Sequence, residues 1–233
     1  MSDKQLWDYH QDTNRKHLEA SHPRQNYLLK QLSKLSLKGW TILEIWFWDG
    51  YLLNKISLSW FNALWQDLSS INIENTKKQW NNANINFLLW DDSGKLIVSD
   101  ASIDCFIASE VLEHMSDEEL NVCISEIYRA IKVWGYAILT FPAEENLKNS
   151  ECACPNCGEV FHKWGHKQYW NQEKITKVFK DFKILKQFEF FNRYSWTSLI
   201  TKCLGYTMYV LRTIINKFYP LENRSYFLLL RKE

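Results

Sequence analysis

Short apolar runs rich in branched side chains alternate along this chain with longer stretches of helical spacing. Leu28, Leu29, Leu32 and Leu35 recur at helical intervals among polar residues, which predicts a helical segment within 1–38. Thr41-Ile-Leu-Glu-Ile45 then reads as a buried parallel strand, followed by a helix from Tyr51. The same rhythm predicts strands at 61–64, 85–89, 103–108 and 136–141, and helices at 70–78 and 118–131. Residues 143–170 interrupt it. A helix over 171–182 and strands at 182–191 and 225–230 complete the pattern. Such alternation predicts an α/β fold, a doubly wound and mostly parallel seven-stranded sheet, with ligands beyond the carboxyl ends of its strands. Between the last two strands, residues 195–218 carry apolar side chains at helical spacing, interrupted by Lys202 and Arg212. That reads as an amphipathic insertion rather than a membrane span; packing on the domain, a lid and a membrane-surface contact stay open.

Length fits one domain over 1–233. A net charge of +1 gives no electrostatic case for nucleic acid. The polar opening MSDKQLWDYHQDTNRKH argues against a signal peptide, and clustered cysteines suggest reduced thiols, so a cytoplasmic setting is expected. One feature of the composition is abnormal: seven glycines against twelve tryptophans.

The positions of those tryptophans matter because they fall within motifs. Glu44-Ile-Trp46-Phe-Trp48-Asp-Gly50 spans the first strand-to-helix turn. Trp65-Gln-Asp67-Leu-Ser69 follows the second strand, and Trp90-Asp91 the third. Ser109-Glu110-Val-Leu-Glu-His114 follows the fourth, and Ile131-Lys-Val-Trp134-Gly135 leads into the fifth. In this order and spacing, over roughly residues 35–145, the chain resembles the class I S-adenosylmethionine-dependent methyltransferases of type 11/23. The resemblance implies a Rossmann-like methyltransferase fold and S-adenosyl-L-methionine as cofactor. Glu44, residues 46, 48 and 50, Asp67, Asp91 and Glu110 would then line its site. Asp67 would accept the ribose hydroxyls, a bidentate task suited to an ionised acid, and Asp91 would hold the adenine amino group. His114 is the motif's candidate base; its alternative role is a helix-start residue with a structural hydrogen bond.

Tryptophan stands at 46, 48, 65, 90 and 134, where the family carries glycine, and at 40, 60 and 80, where a turn would suit glycine. An indole adds a Cβ penalty at positive φ, and its bulk would take the cofactor's volume. Either the chain is a degenerate, inactive scaffold that serves as a binding module, or UGA codons meant as glycine were rendered as tryptophan. Degeneration would scatter residue types, whereas these departures run one way. Exchanging these eight of the twelve tryptophans for glycine would leave four and raise the seven glycines to fifteen, both ordinary values.

The interruption at 143–170 contains Cys154-Pro-Asn-Cys157-Gly158 followed by His162 and His166. Two thiolates and two imidazoles at this spacing suit a closed tetrahedral Zn2+ site of structural type, with Cys152 as a substitute ligand. The fold class thus carries a small zinc-binding insertion, and Trp164 and Trp170 within it read as authentic. The function expected is methyl transfer to a small-molecule, lipid-linked or sugar-linked acceptor.

Overall fold

The computed structural model describes residues 8, 21–35, 39–59, 61–80, 85–90, 93–191 and 224–233. Five parallel strands form its centre: β1 (Thr41–Ile45), β2 (Asn62–Asp67), β3 (Ile85–Leu89), β4 (Ile103–Ser109) and β5 (Ile131–Pro142). Helix α1 (His22–Leu35) precedes β1; α2 (Tyr51–Ser57), α3 (Ser70–Gln79) and α4 (Asp117–Ala130) lie between strands. The insertion folds as a small antiparallel hairpin of β6 (Glu151–Ala153) and β7 (Val160–His162). Helix α5 (Gln172–Val178), β8 (Lys183–Phe191) and β9 (Arg224–Arg231) close the fold. Seven strands run in the order β3-β2-β1-β4-β5-β9-β8, with β9 antiparallel to both neighbours. The chain winds outward from β1 to β3, then returns to the far side of β1 as β4. The crevice between β1 and β4 is therefore the topological switch point.

The central strands are apolar on both faces because each face supports a separate core. Leu43, Phe106, Ala108, Leu139 and Leu228 face one way, together with Leu120, Cys123 and Ile127 of α4 and Ile175 of α5. Ile42, Cys105, Ile107, Ile138 and Phe227 face the other way, against Leu28 and Leu32 of α1 and Leu52, Leu53 and Ile56 of α2. Successive residues alternate between the two cores, as the period of two requires. Trp170 is fully buried, its ring stacked 4.1 Å from Phe141. Helix α4 starts with a complete capping box: Ser116 Oγ accepts from Glu119 N, and Glu119 Oε2 accepts from Ser116 N. Such a cap contributes about 1 kcal/mol and fixes where the turn after β4 ends.

The structure moves several boundaries. The strand expected at 61–64 runs on to Asp67, because Trp65, Gln66 and Asp67 continue the ladder with β3. The strand expected at 136–141 begins at Ile131, immediately after α4, pairing Ile131 with Ile103 before a register shift. The helix expected over 171–182 ends at Val178. All of the 195–218 insertion expectation, and residues 1–7, 9–20 and 36–38 of the N-terminal segment, lie outside the described residues. No helix among the described residues is long and apolar enough to cross a membrane.

Candidate cofactor cleft and its histidine–carboxylate wall

The first loop sets the shape of the crevice. Trp46 and Trp48 take φ of 50° and 52°, and Gly50 takes 78° as it caps α2. Trp46 N donates to Gln66 O at 3.0 Å and Gly50 N to Phe47 O at 2.7 Å, so the turn folds tightly onto β2. Gly50 has no alternative: a Cβ there would stand 2.5 Å from Thr76 Cγ2 and 2.9 Å from the Trp65 ring. Glu44 lies beneath this loop, 1% exposed, with neither carboxylate oxygen hydrogen-bonded. Burial, then the nearby Asp49 and Asp67, push its carboxyl well above the usual range. A buried acid of this kind is suited to a cationic ligand.

Helix α1 walls the crevice from the side. His22 Nε2 lies 2.6 Å from Asp49 Oδ2, and Arg24 Nε donates to Ser109 Oγ at 3.0 Å. Asp67 ends β2, as the sequence indicates. It is fully buried and accepts from Ser69 N at 2.8 Å and Asn72 Nδ2 at 2.9 Å, which ties it to the start of α3. Glu110 follows β4 at φ 56°, its N donating to Thr140 O and its Oε2 accepting from Ser225 Oγ. Asp91 lies outside the described residues.

Indoles fill the space between these groups. Trp46 is 5% exposed, with its ring centroid 6.2 Å from Trp90 and 5.4 Å from His114. Trp48 Nε1 donates to Ser109 O at 2.7 Å, bridging β1 to β4 across the switch point. The acids present fit a cofactor bearing a sulfonium and an ammonium; the side chains at 46 and 48 do not leave it room. Backbone conformation sorts the suspect tryptophans. Trp46, Trp48 and Trp134 occupy the left-handed region that favours glycine. Trp65 instead lies within β2, buried between Phe47 at 4.6 Å and Phe87 at 4.7 Å. Trp80 caps α3 at φ −121°. Trp40 and Trp90 are also absent from the left-handed region, so the turn argument does not extend to these four; Trp60 lies outside the described residues.

The expected zinc set is divided. Glu151 pairs with His162, and Cys154 sits three residues further along, at the hairpin's turn, where its N donates to Glu159 O. At the rise of a strand that offset is about 10 Å along the hairpin. The spacing C-x2-C-x4-H-x3-H does not reveal this register. Backbone N–H groups of Cys157 and Asn156 hold the half-buried Cys154 thiol below its usual range.

The histidines face inward to other partners. His166 Nδ1 lies 2.5 Å from Glu145 Oε2, and His162 Nε2 lies 3.5 Å from Glu145 Oε1. Burial pushes the Glu145 carboxyl up, but the bonds and charges of His166 and His162 together outweigh it and hold the group below its usual range. His114 occupies a short 3-10 turn, Leu112–His114, its ring 4.9 Å from that of His166 and edge-on to it. Its neighbour Glu113 is fully buried. Burial, then the charge on His166, pull the His114 imidazole well below its usual value, so it is neutral at physiological pH. Sequence reading singled out neither Glu113 nor Glu145. Glu113 carried a signal, its adjacency to His114 in the motif; Glu145 carried none.

A family profile described as a methyltransferase domain matches residues 50–139. No curated protein matches the chain by sequence. Solved structures share its fold throughout. The chain assigned as a methyltransferase in the complex with the Haloferax volcanii Trm112 methyltransferase activator is 14% identical, with 99% of each chain covered and a TM-score of 0.70. The N-methyltransferase NodS from Bradyrhizobium japonicum, bound to S-adenosyl-L-homocysteine, is 13% identical, covering 98% of this chain and 97% of that one, with a TM-score of 0.66. The [4+2]-cyclase SpnF is 15% identical over 88% of this chain and 80% of its own, with a TM-score of 0.62. The fold is therefore the Rossmann-like fold of class I methyltransferases, a scaffold that also serves a cyclase.

Proposed function

We propose that this protein transfers a methyl group from S-adenosylmethionine to a small-molecule, lipid-linked or sugar-linked acceptor, and that its native chain carries glycine at positions 46 and 48. The observation that carries this reading is the first loop: residues 46 and 48 hold a glycine backbone conformation directly above the unpartnered, buried carboxylate of Glu44. Glycines there would open the crevice while leaving the acids in place. The matched methyltransferase profile over residues 50–139 supports the same reading. The cofactor's sulfonium supplies an electrophilic methyl, so the chain's work is positioning the acceptor in line. His114, neutral and beside the first loop, is the base available to an acceptor that needs one.

Trp46 and Trp90, buried in the crevice, favour a second reading for the tryptophan-containing chain: a methyltransferase-like binding module without activity. Calorimetric titration of S-adenosylmethionine separates the two. The chain carrying Trp46→Gly and Trp48→Gly is expected to bind with micromolar affinity and the tryptophan chain to give no heat. Absence of binding in a folded glycine chain would refute the methyl-transfer reading.

A further inference from the structure

We propose that Glu113, His114 and His166 form a site for one divalent transition-metal ion beside the first loop, independent of the cysteine hairpin. The three side chains each offer one ligand atom, and these atoms lie within 4.8 Å of one another. Three donors around one ion with bonds of about 2.0–2.2 Å lie about 3.4–3.6 Å apart, so closure draws the side chains together by up to about 1.3 Å.

The surrounding hydrogen bonds set the histidines up as ligands. A carboxylate only accepts, so His166 Nδ1 carries the proton that bonds Glu145, and its Nε2 keeps the lone pair. His114 bonds the Gly165 backbone through its ring, which leaves its other nitrogen as a donor toward a metal. A carboxylate or carbonyl holding the far N–H of each imidazole is the arrangement that orients metal-bound histidines. Glu113 completes the set: it is fully buried, and neither carboxylate oxygen bonds another residue. Burial without partners favours the neutral acid, and a bound cation is what would stabilise the ionised carboxylate there.

A rival trio, Glu145, His162 and His166, also has its atoms within 4.8 Å. It fails on tautomer. His162 Nδ1 accepts from the backbone N–H of His166 at 3.1 Å and of Trp164 at 3.3 Å, so its proton sits on Nε2, the atom facing Glu145. That trio is a hydrogen-bonded support that aims His166.

Two imidazoles and one carboxylate suit iron(II), zinc or manganese(II), and three protein ligands leave positions open. Resting on the methyl-transfer reading, those positions would take an acceptor hydroxyl and lower its pKa. His114 would then serve as a ligand and not as the base, and the hydroxyl would lose its proton to water. Its oxygen would then form the new O–CH3 bond as the S–CH3 bond breaks, leaving a neutral thioether.

The test reads metal binding without S-adenosylmethionine, so its failure and that of the methyl-transfer reading are separable. The full chain, stripped with chelator, is titrated with Mn2+ and followed by electron paramagnetic resonance. One site per chain is expected. Glu113→Gln and His166→Ala should each weaken binding at least tenfold, and Glu145→Gln about 10–100-fold as an orienting partner. Cys154→Ser with Cys157→Ser should leave it unchanged. Circular dichroism checks that each variant folds; His166, at the edge of the core, carries the test if Glu113→Gln does not fold. Unaltered binding in folded Glu113→Gln or His166→Ala, no binding by the parent chain, or loss confined to the cysteine pair, would overturn the site.

Discussion

The indole of Trp46 meets the imidazole of His114 with ring centroids 5.4 Å apart and planes tilted by 44°. One residue belongs to the first loop and the other to the turn after β4, so the contact closes the mouth of the crevice from both sides of the switch point.

That contact leads to an expectation about the gene. Codons 40, 46, 48, 60, 65, 80, 90 and 134 should be UGA, read as glycine in the source organism, and codons 164 and 170 should be UGG. The left-handed backbone at 46, 48 and 134 adds a conformational argument at three of these positions, since an L side chain costs about 1–2 kcal/mol in that region. The other five rest on the sequence pattern. Peptide mass spectrometry of protein from its native source reads each residue directly. Tryptophan at 46 and 48 would defeat the account and leave the inactive scaffold.

Asp67 offers a test inside the crevice. Its two oxygens accept from Ser69 N and Asn72 Nδ2 at the start of α3, and the resemblance makes it the acceptor for the ribose hydroxyls. In the chain with glycine at 46 and 48, Asp67→Asn should weaken S-adenosylmethionine by about 2–4 kcal/mol, the worth of two charge-assisted bonds that do not add fully. Asparagine keeps the shape but turns one acceptor at the helix start into a donor, so thermal unfolding is measured beside affinity, and an affinity loss larger than the stability loss points to the ribose. Unchanged affinity by calorimetry removes Asp67 from the site.

Stability in acid should follow Glu126. Its carboxylate accepts from Arg129 Nε at 2.8 Å and Nη2 at 2.7 Å, and from Leu96 N at 3.0 Å. The hydrogen bonds from Arg129 hold its carboxyl below the usual range. A depressed carboxyl stabilises the fold above its unfolded pKa of about 4.3 and loses that contribution as pH falls through the folded value. Glu126→Gln should therefore cost about 1 kcal/mol at pH 7 and progressively less below pH ~4, measured as the gap between thermal unfolding curves. A gap that stays constant into acid would assign the effect to packing.

The sheet was legible because strands such as Thr41–Ile45 and Ile103–Ser109 are apolar on both faces and bounded by turns, a pattern set by burial alone. Asp67 was placed by its motif, since the apolar pattern alone ended the second strand at residue 64. The start of β5 was not legible, since Ile131 leaves α4 and enters a ladder within one residue, and only its partner Ile103 dictates that. The placement of Cys154 and His162 was not legible either: the hairpin sets them three positions apart along its ladder, a register that the spacing does not carry. Glu113 and His166 present the opposite case, 53 positions apart in sequence and joined only by the fold.

Strands β8 and β9 pair from Lys183 with Arg231 to Phe191 with Arg224. The two ends of the intervening 192–223 segment therefore emerge side by side, at roughly the 5 Å spacing of neighbouring strands. An excursion that leaves and returns at one point can be exchanged without re-threading anything else. The pairing of residue 191 with residue 224 thus closes that end of the sheet locally, and the sheet, Glu44 and the histidine wall are all built from chain outside the interval between them.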